Sequence, residues 1–225
     1  MRPPRRAKKP NPESDAPRIV SIPNGVPVPE SPWHIRPAWE TAPRAVFVGR
    51  LAPEKGLDTL VLAWPRVRRR FPAAQLVLIG EGPERHTLEN LAQTLGLRPG
   101  PSQAIELPGS ASNSTDALRS ADLFVLPSRE EGMSIALLEA MALAIPLVAT
   151  SIPGNRRLVD DSEHGLLVPP DDPDSLAAAI IEQWENLDRA VQMALAARRR
   201  VTQQFSIEAV ARQHLALFRE LVALH

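Results

Sequence analysis

From residue 45 onward, short apolar runs alternate with longer amphipathic stretches, and this alternation leaves the chain few folds to choose from. Residues 45–49 (Ala-Val-Phe-Val-Gly) read as a buried strand stopped by glycine. Leu57, Leu60, Val61, Trp64, Val67 and Phe71 then recur at helical spacing, with Pro65 inside the helix and expected to kink it. Residues 75–79 form a second strand pattern, ended by Gly80-Glu81-Gly82-Pro83 and followed by a polar helix to about residue 97. Residues 104–107 are a weak third strand, and Asn113 or Ser114 caps a short helix through residue 120. Residues 123–126 make a strong fourth strand, and Ser134 caps a helix over 135–144. Fifth and sixth strands are expected at 146–150 and 165–168. Asp172 caps the next helix with Pro173 at its first position, and Leu176, Ile180, Trp184 and Leu187 form its apolar face. Two further helices close the chain, the last over about 206–224.

Strands that alternate with helices imply a parallel sheet covered on both faces. The expected fold is therefore α/β, a Rossmann-like doubly wound parallel sheet of about six strands. Such sheets bind ligands at the carboxyl ends of their strands. The loops that matter are those after Val48, Ile79, Leu107, Leu126 and Thr150.

The first 44 residues differ from the rest. They hold 11 of the 24 prolines and carry a net charge of +4, whereas residues 45–225 carry −4. The chain divides on this reading into a Pro-rich basic arm and linker (1–44), a Rossmann-like domain (45–205) and a C-terminal helix (206–225). The arm has no apolar periodicity and is expected to be extended where ordered. Zero net charge overall argues against binding nucleic acid by broad phosphate neutralisation. The absence of Cys rules out disulfides, thiolate zinc sites and Cys nucleophiles. No apolar segment follows the basic start, so a secretory signal is not expected. The longest apolar stretch, 133–150, contains Glu139 and Pro146 and is rejected as a membrane span. The expected location is the cytoplasm, with membrane contact at most peripheral at its inner face.

Lysine is scarce: of 26 basic residues, three are Lys, and Lys55 is the single one beyond residue 44. Arg50 and Lys55 follow the first strand and precede a helix, which suits either a phosphate or an ordinary charged loop. The turn Gly80-Glu81-Gly82 allows close backbone approach, and alone reads mostly as structure. After the fourth strand, Glu131 lies in a loop and Glu139 about one turn inside the next helix, amid Leu137, Leu138, Ala140 and Met141. A carboxylate there is expensive to bury unpaired, so Glu139 is either functional or part of an ion pair. Backbone N–H groups at Gly132, Met133 and Ser134 are free to meet an anion.

Taken together, the motifs V-G-R-L-A-P-E-K-G (48–56), L-V-L-I-G-E-G-P-E-R (76–85), A-D-L-F-V-L-P-S-R-E-E-G-M-S (121–134), L-L-E-A-M-A (137–142), P-G-N-R (153–156) and H-G-L-L-V-P-P-D-D-P (164–173) carry a resemblance. The chain resembles the C-terminal, donor-binding domain of the retaining glycosyltransferase family 4, which has the GT-B fold. Glu131 and Glu139 match that family's E-x7-E pattern, and S-I-P-N-G-V (21–26) resembles its interdomain segment. Ile135, Ala144 with Ile145, and Arg157 depart from it, standing where Asn, Gly with a variable residue, and an acid are common.

The resemblance implies a donor that is a UDP-sugar or GDP-sugar, no other cofactor and no metal. It implies that Arg50 and Lys55 bind the diphosphate and stabilise it as leaving group, that Glu131 contacts hydroxyls of the transferred sugar, and that Glu139 accepts from the ribose. Gly132, Met133 and Ser134 would offer backbone N–H groups, residues 107–109 would lie near the base, and Gly49, Gly82 and Leu138 belong to the same donor-binding set. The first 44 residues are too few for the second Rossmann-like domain of such an enzyme. The expected function is therefore the donor-binding half of a retaining glycosyltransferase of bacterial polysaccharide biosynthesis, either acting with a separate N-terminal subunit or being a truncated gene product, and inactive without the missing acceptor domain. The alternative is a non-catalytic nucleotide-sugar-binding or assembly module. Asp172-Pro173-Asp174 resembles a metal-binding D-x-D but is explained as a helix cap. His86 and His164 are expected at the surface, while His214 is expected to pack beside the stripe Ile207, Val210, Leu217, Phe218 and Leu221. His34 and His225 fall in tails, and Trp64 and Trp184 read as core.

Overall fold

The structure, a computed structural model, describes residues 19–32, 42–100, 103–111 and 113–223. Most of the basic arm, His34 and His225 lie outside the described residues. Six strands form one parallel sheet: β1 (Arg44–Val48), β2 (Gln75–Ile79), β3 (Ile105–Gly109), β4 (Leu123–Leu126), β5 (Leu147–Thr150) and β6 (Leu166–Val168), in the order β3-β2-β1-β4-β5-β6. Consecutive residues Ala45, Val46 and Phe47 are all fully buried, which requires cover on both faces of the sheet. The expected doubly wound α/β architecture is what forms.

Among the described residues, eight helices supply that cover: α1 (Leu57–Arg70), α2 (Arg85–Thr94), α3 (Ser114–Leu118), α4 (Ile135–Leu143), α5 (Pro153–Arg156), α6 (Pro173–Glu185), α7 (Leu187–Gln204) and α8 (Ile207–Ala223). Helix α1 packs on α6. At that seam the Trp64 and Trp184 rings meet edge to face with centroids 6.2 Å apart, and Phe71 sits 5.3 Å from Trp184. Pro65 lies within α1, which runs on through it as one helix. Helix α4 is apolar nearly all round and packs on α7. Ser134 Oγ accepts from the Leu137 N–H at its start, and Ala144 ends it in the left-handed conformation at φ 59°. This position needs no side chain and favours glycine, so Ala144 costs about 1 kcal/mol there.

Three expectations change. Helix α5 is not among the expected elements, because four residues carry no readable period. His164 is buried rather than at the surface: the Asp160 N–H donates to its Nδ1, and Arg200 of α7 lies beside it. Burial first, and the Arg200 charge second, push its pKa below the ordinary 6.5. His214 is exposed, as are Ile207, Phe218 and Leu221, because α8 seats only its first turn, through Ala209 and Val210, on the rest of the domain. His86 is exposed as expected.

The segment 19–32 runs alongside the α7–α8 junction. The Val26 N–H donates to the Phe205 carbonyl at 2.9 Å, and the Ile207 N–H donates to the Val26 carbonyl at 3.1 Å. Arg198 of α7 donates to the carbonyls of Ala142 and Pro29, pinning the same segment to α4. Among the described residues no helix is long and apolar enough to cross a membrane.

The α1–α6 seam carries a stability prediction. Trp64 is fully buried, and its ring N–H has no partner among the described residues. Trp64→Ala is expected to cost about 3–5 kcal/mol in urea denaturation, and Trp64→Phe well under half of that, because Phe fills most of the space and removes the unpaired N–H.

Candidate functional site

The site follows from β1 lying between β2 and β4, since the loops leaving all three strands then meet at one edge of the sheet. After β1 the chain passes through Gly49 and Arg50, buries Leu51 and Ala52, and turns once as a 3-10 helix over Pro53–Lys55. Gly56 ends that turn in the left-handed conformation at φ 61°. A Cβ on Gly56 would stand 2.2 Å from the Pro127 carbonyl oxygen, so the loops after β1 and β4 touch backbone to backbone. The Arg129 N–H donates to the Glu54 carbonyl at 2.8 Å across the same contact.

That contact brings Lys55 and Glu131 together. Lys55 Nζ lies 2.7 Å from Glu131 Oε1, and Ser128 Oγ donates to the same oxygen at 2.9 Å. Both charged side chains are largely sheltered, at 20% and 9% exposure. The loop carrying Glu131 is fixed from below, where Thr150 Oγ1 donates to the Ser128 carbonyl at 2.5 Å and Asn155 donates to the Thr150 carbonyl at 3.0 Å. Helix α5 presses on it from the side: a Cβ on Gly154 would sit 2.1 Å from the Glu131 carbonyl oxygen.

A cavity of about 390 Å³ opens here, lined by Gly49, Arg50, Lys55, Glu131, Met133 and Ser134 among others. A second, of about 250 Å³, shares Gly49 and Arg50 and continues past Gly80 and Glu81 to Ser110 and Ala111. Arg50 is exposed on the rim common to both. A larger space of about 490 Å³ lies at the opposite edge, where Ala42, Gln75 and Ala104 enter the strands. It is lined by the segments that enter β1, β2 and β3, whereas doubly wound sheets bind ligands at the carboxyl ends of their strands, which makes the carboxyl edge the candidate site.

Of the remaining candidate residues, Met133 and Ser134 line the first cavity, and Gly82, Gly132, Leu138 and Glu139 line neither. Gly132 is exposed with open space about it, and Met133 is partly buried. Among the described residues none accepts from the N–H groups of Gly132, Met133 or Ser134. Gly82 lies against Leu51, where a Cβ would meet the carbonyl oxygen at 2.1 Å, so it lets the loop after β2 seat on the loop after β1. Leu138 has its side chain in the hydrophobic core, and neither it nor the partly buried Glu139 lines either cavity. The carbonyl of Leu107 accepts from Arg85 at 2.6 Å, and Gly109 accepts from the Gly80 N–H at 2.9 Å. Asp172 caps α6 by accepting from the Ser175 N–H at 2.9 Å, while Asp174 pairs with Arg66 at 2.9 Å. Elsewhere, Asp160, Glu163 and His164 bring ligand atoms within 4.8 Å of one another. The Arg200 guanidinium that bonds Asp160 and approaches His164 opposes a cation there.

Arg129 is the residue that sequence reasoning passed over. Its guanidinium donates from Nε to Asp171 at 2.7 Å, from Nη1 to the Pro53 carbonyl at 2.6 Å and from Nη2 to Asp58 at 2.8 Å. Partial burial alone would push the Asp58 carboxyl up. The hydrogen bond from Arg129, the Thr59 N–H and the Arg129 charge outweigh it, and hold the group below the ordinary 3.8. Arg129 is in turn raised, first by its bond to Asp58.

Most of the chain is similar to known proteins. Residues 42–186 match the family model described as Glycosyl transferases group 1. Over 180 residues the chain is 36% identical to a GDP-mannose-dependent alpha-(1-6)-phosphatidylinositol monomannoside mannosyltransferase of Mycobacterium tuberculosis; the match covers 75% of this chain and 45% of that protein. The chain thus spans about half the length of that relative. In structure it is similar to S. aureus TarM, crystallised as a point mutant with UDP among its ligands, at a TM-score of 0.79 and 24% identity, over 91% of this chain and 40% of that one. It is also similar to the C-terminal domain of LpcC, a glycosyl transferase group 1 family protein of Francisella tularensis, at a TM-score of 0.69 and 23% identity, over 81% of this chain and all of that one.

The lowered Asp58 pKa sets a pH dependence. A carboxyl whose pKa is lower in the folded state adds stability above its unfolded value, and loses it as pH falls through the folded one. Wild type is therefore expected to be more stable than Asp58→Asn near neutrality, with the gap closing as pH falls below the ordinary 3.8, as followed by urea denaturation across pH.

Proposed function

We propose, on the premise that this chain belongs to the glycosyl transferases group 1 family, that it is the donor-binding half of a retaining glycosyltransferase. The donor is a nucleotide-diphosphate-sugar, with UDP or GDP as its nucleotide. The observation that carries the reading is the sheltered Lys55–Glu131 pair, 2.7 Å apart in a cavity whose rim holds Arg50.

The chemistry follows from those groups. Lys55 has three N–H donors and spends one on Glu131, leaving two for phosphate oxygens. Glu131 receives both Lys55 and Ser128 on Oε1, leaving Oε2 for sugar hydroxyls. As the bond from the sugar carbon to the diphosphate oxygen breaks, negative charge grows on the leaving diphosphate. Lys55, held by Glu131, meets that charge from a position already set, and the exposed Arg50 guanidinium on the rim adds a second cation, which is electrostatic catalysis. In this reading they do the work that a metal would otherwise do. The N–H groups of Gly132, Met133 and Ser134 add dipoles aimed at the same anion, with Ser134 already committed by its side chain to capping α4. The second cavity, past Gly80 to Ser110, takes the base. Gly49 borders both spaces, and Gly82 shapes the loop between them. The ribose role that the resemblance implies for Glu139 would need the donor to reach past the linings of the two cavities, since Glu139 is in neither; Leu138 holds α4 in the core.

An acceptor-binding half completes the enzyme, from a separate N-terminal subunit or from further sequence of the same polypeptide. The 45% coverage of the mannosyltransferase relative supports that division. It equally favours the second reading, a module that binds nucleotide-sugar without transferring it.

Calorimetric titration of the 225-residue chain with UDP and with GDP tests the donor site. Binding is expected to at least one, weakened about tenfold or more by Lys55→Ala and by Arg50→Ala, each of which removes a charge-assisted hydrogen bond. No binding to either nucleotide by the wild type overturns the reading. Turnover separates the halves: incubated alone with donor, the chain is expected to transfer sugar to no acceptor, and robust transfer would overturn the division.

A further inference from the structure

We propose that Arg129 is a positioning residue for the diphosphate site, acting on the donor through Lys55 without touching it. The proposal deepens the donor-binding reading and rests on it. Arg129 lines neither cavity. Its three guanidinium bonds instead reach three separate pieces of chain: the Pro53 carbonyl in the turn that carries Lys55, Asp58 at the start of α1, and Asp171 in the loop before α6. Its own backbone N–H donates to the Glu54 carbonyl. One residue thus grips the Lys55 turn at two successive carbonyls, from a place two residues before Glu131. The spacing of Lys55 from Glu131 is set by that grip, together with the Gly56–Pro127 contact.

The residue type matters. Guanidinium offers several N–H groups in one rigid plane, and the three acceptors lie around that plane at 2.6, 2.7 and 2.8 Å. A lysine places one ammonium and cannot span all three. The two ion pairs are partly exposed and contribute little to global stability as such. What they supply is geometry, on which a site of preorganised charges depends.

The test is a double-mutant cycle read as affinity for UDP or GDP, whichever the wild type binds more tightly. Arg129→Ala is expected to weaken binding about tenfold in the wild-type background and to have no further effect in the Lys55→Ala background. Arg129→Lys is expected to fall between Ala and wild type. Unchanged affinity in Arg129→Ala overturns the proposal, and so does an equal loss in both backgrounds, which would mean that Arg129 acts on the donor directly or on the whole fold. Should Arg129→Ala fail to fold, Asp58→Asn and Asp171→Asn carry the cycle, since each keeps the shape of one partner while weakening its bond. Each is then expected to lose affinity severalfold, and only where Lys55 is present. The wild-type titration separates the two ideas: no binding by wild type removes the donor site itself, whereas wild-type binding with indifferent variants removes only the role of Arg129.

Discussion

The constraint on which the rest depends is the adjacency of β1 and β4, strands separated in sequence by two complete strand–helix units. A parallel sheet that winds outward in both directions from β1 leaves two loops with no helix between them at the centre of its carboxyl edge. Here the loops are close enough that a single Cβ, on Gly56, would collide with the Pro127 carbonyl. Backbone contact of this kind leaves little freedom to the side chains at its margin. It is why an ammonium and a carboxylate 76 residues apart can be held at hydrogen-bond distance in a half-sheltered place. Taking two charges partly out of water is costly unless their geometry is good and the spare lone pairs are met. Ser128 meets one of them, and the chain of bonds through Thr150 and Asn155 fixes the carbonyl behind it.

How far the sequence was legible follows from the range over which each feature is determined. Strands β1, β2, β4 and β5 are apolar runs whose burial on both faces is written in consecutive residues, and they form within a residue of where the pattern places them, whereas β3 (Ile-Glu-Leu-Pro-Gly) buries alternate residues and runs two residues past its expected end. The caps at Ser134, Asn113 and Asp172 are local hydrogen bonds and were equally visible. Lys55, Arg50 and Glu131 were reached from their place at strand ends together with a family resemblance, neither of which showed that Lys55 and Glu131 pair. Arg129 was not legible, because its partners lie 42, 71 and 76 residues away and nothing near it in sequence announces them. His164 was misread for the same reason: what buries it and faces it with charge is α7, 36 residues further on. The stripe on α8 was read correctly as a stripe, but periodicity says only that a face is apolar, not that the chain covers it.

The two glutamates of the E-x7-E pair sit in unlike surroundings. Glu131 lines the first cavity with one oxygen engaged by Lys55 and Ser128, whereas Glu139 is a partly buried residue of α4 that lines neither cavity. A shared spacing therefore does not imply a shared task. One carboxylate is part of an ion pair at the carboxyl edge of the sheet, and the other belongs to a helix that is otherwise almost wholly core. Leu138 and Gly82 make the same point from the other side, since the structure supplies a packing reason for each.

Beyond residue 44 the chain has one primary amine among its side chains, and it is the one that faces Glu131. Acylation, reductive alkylation and any other amine-selective chemistry therefore has a single address in the folded body. Elsewhere the positive charge is carried by guanidinium, which such reagents pass over. Amine-directed modification of the side chains of this domain, deliberate or metabolic, is in effect a question about one nitrogen, and its extent reports whether that nitrogen is covered.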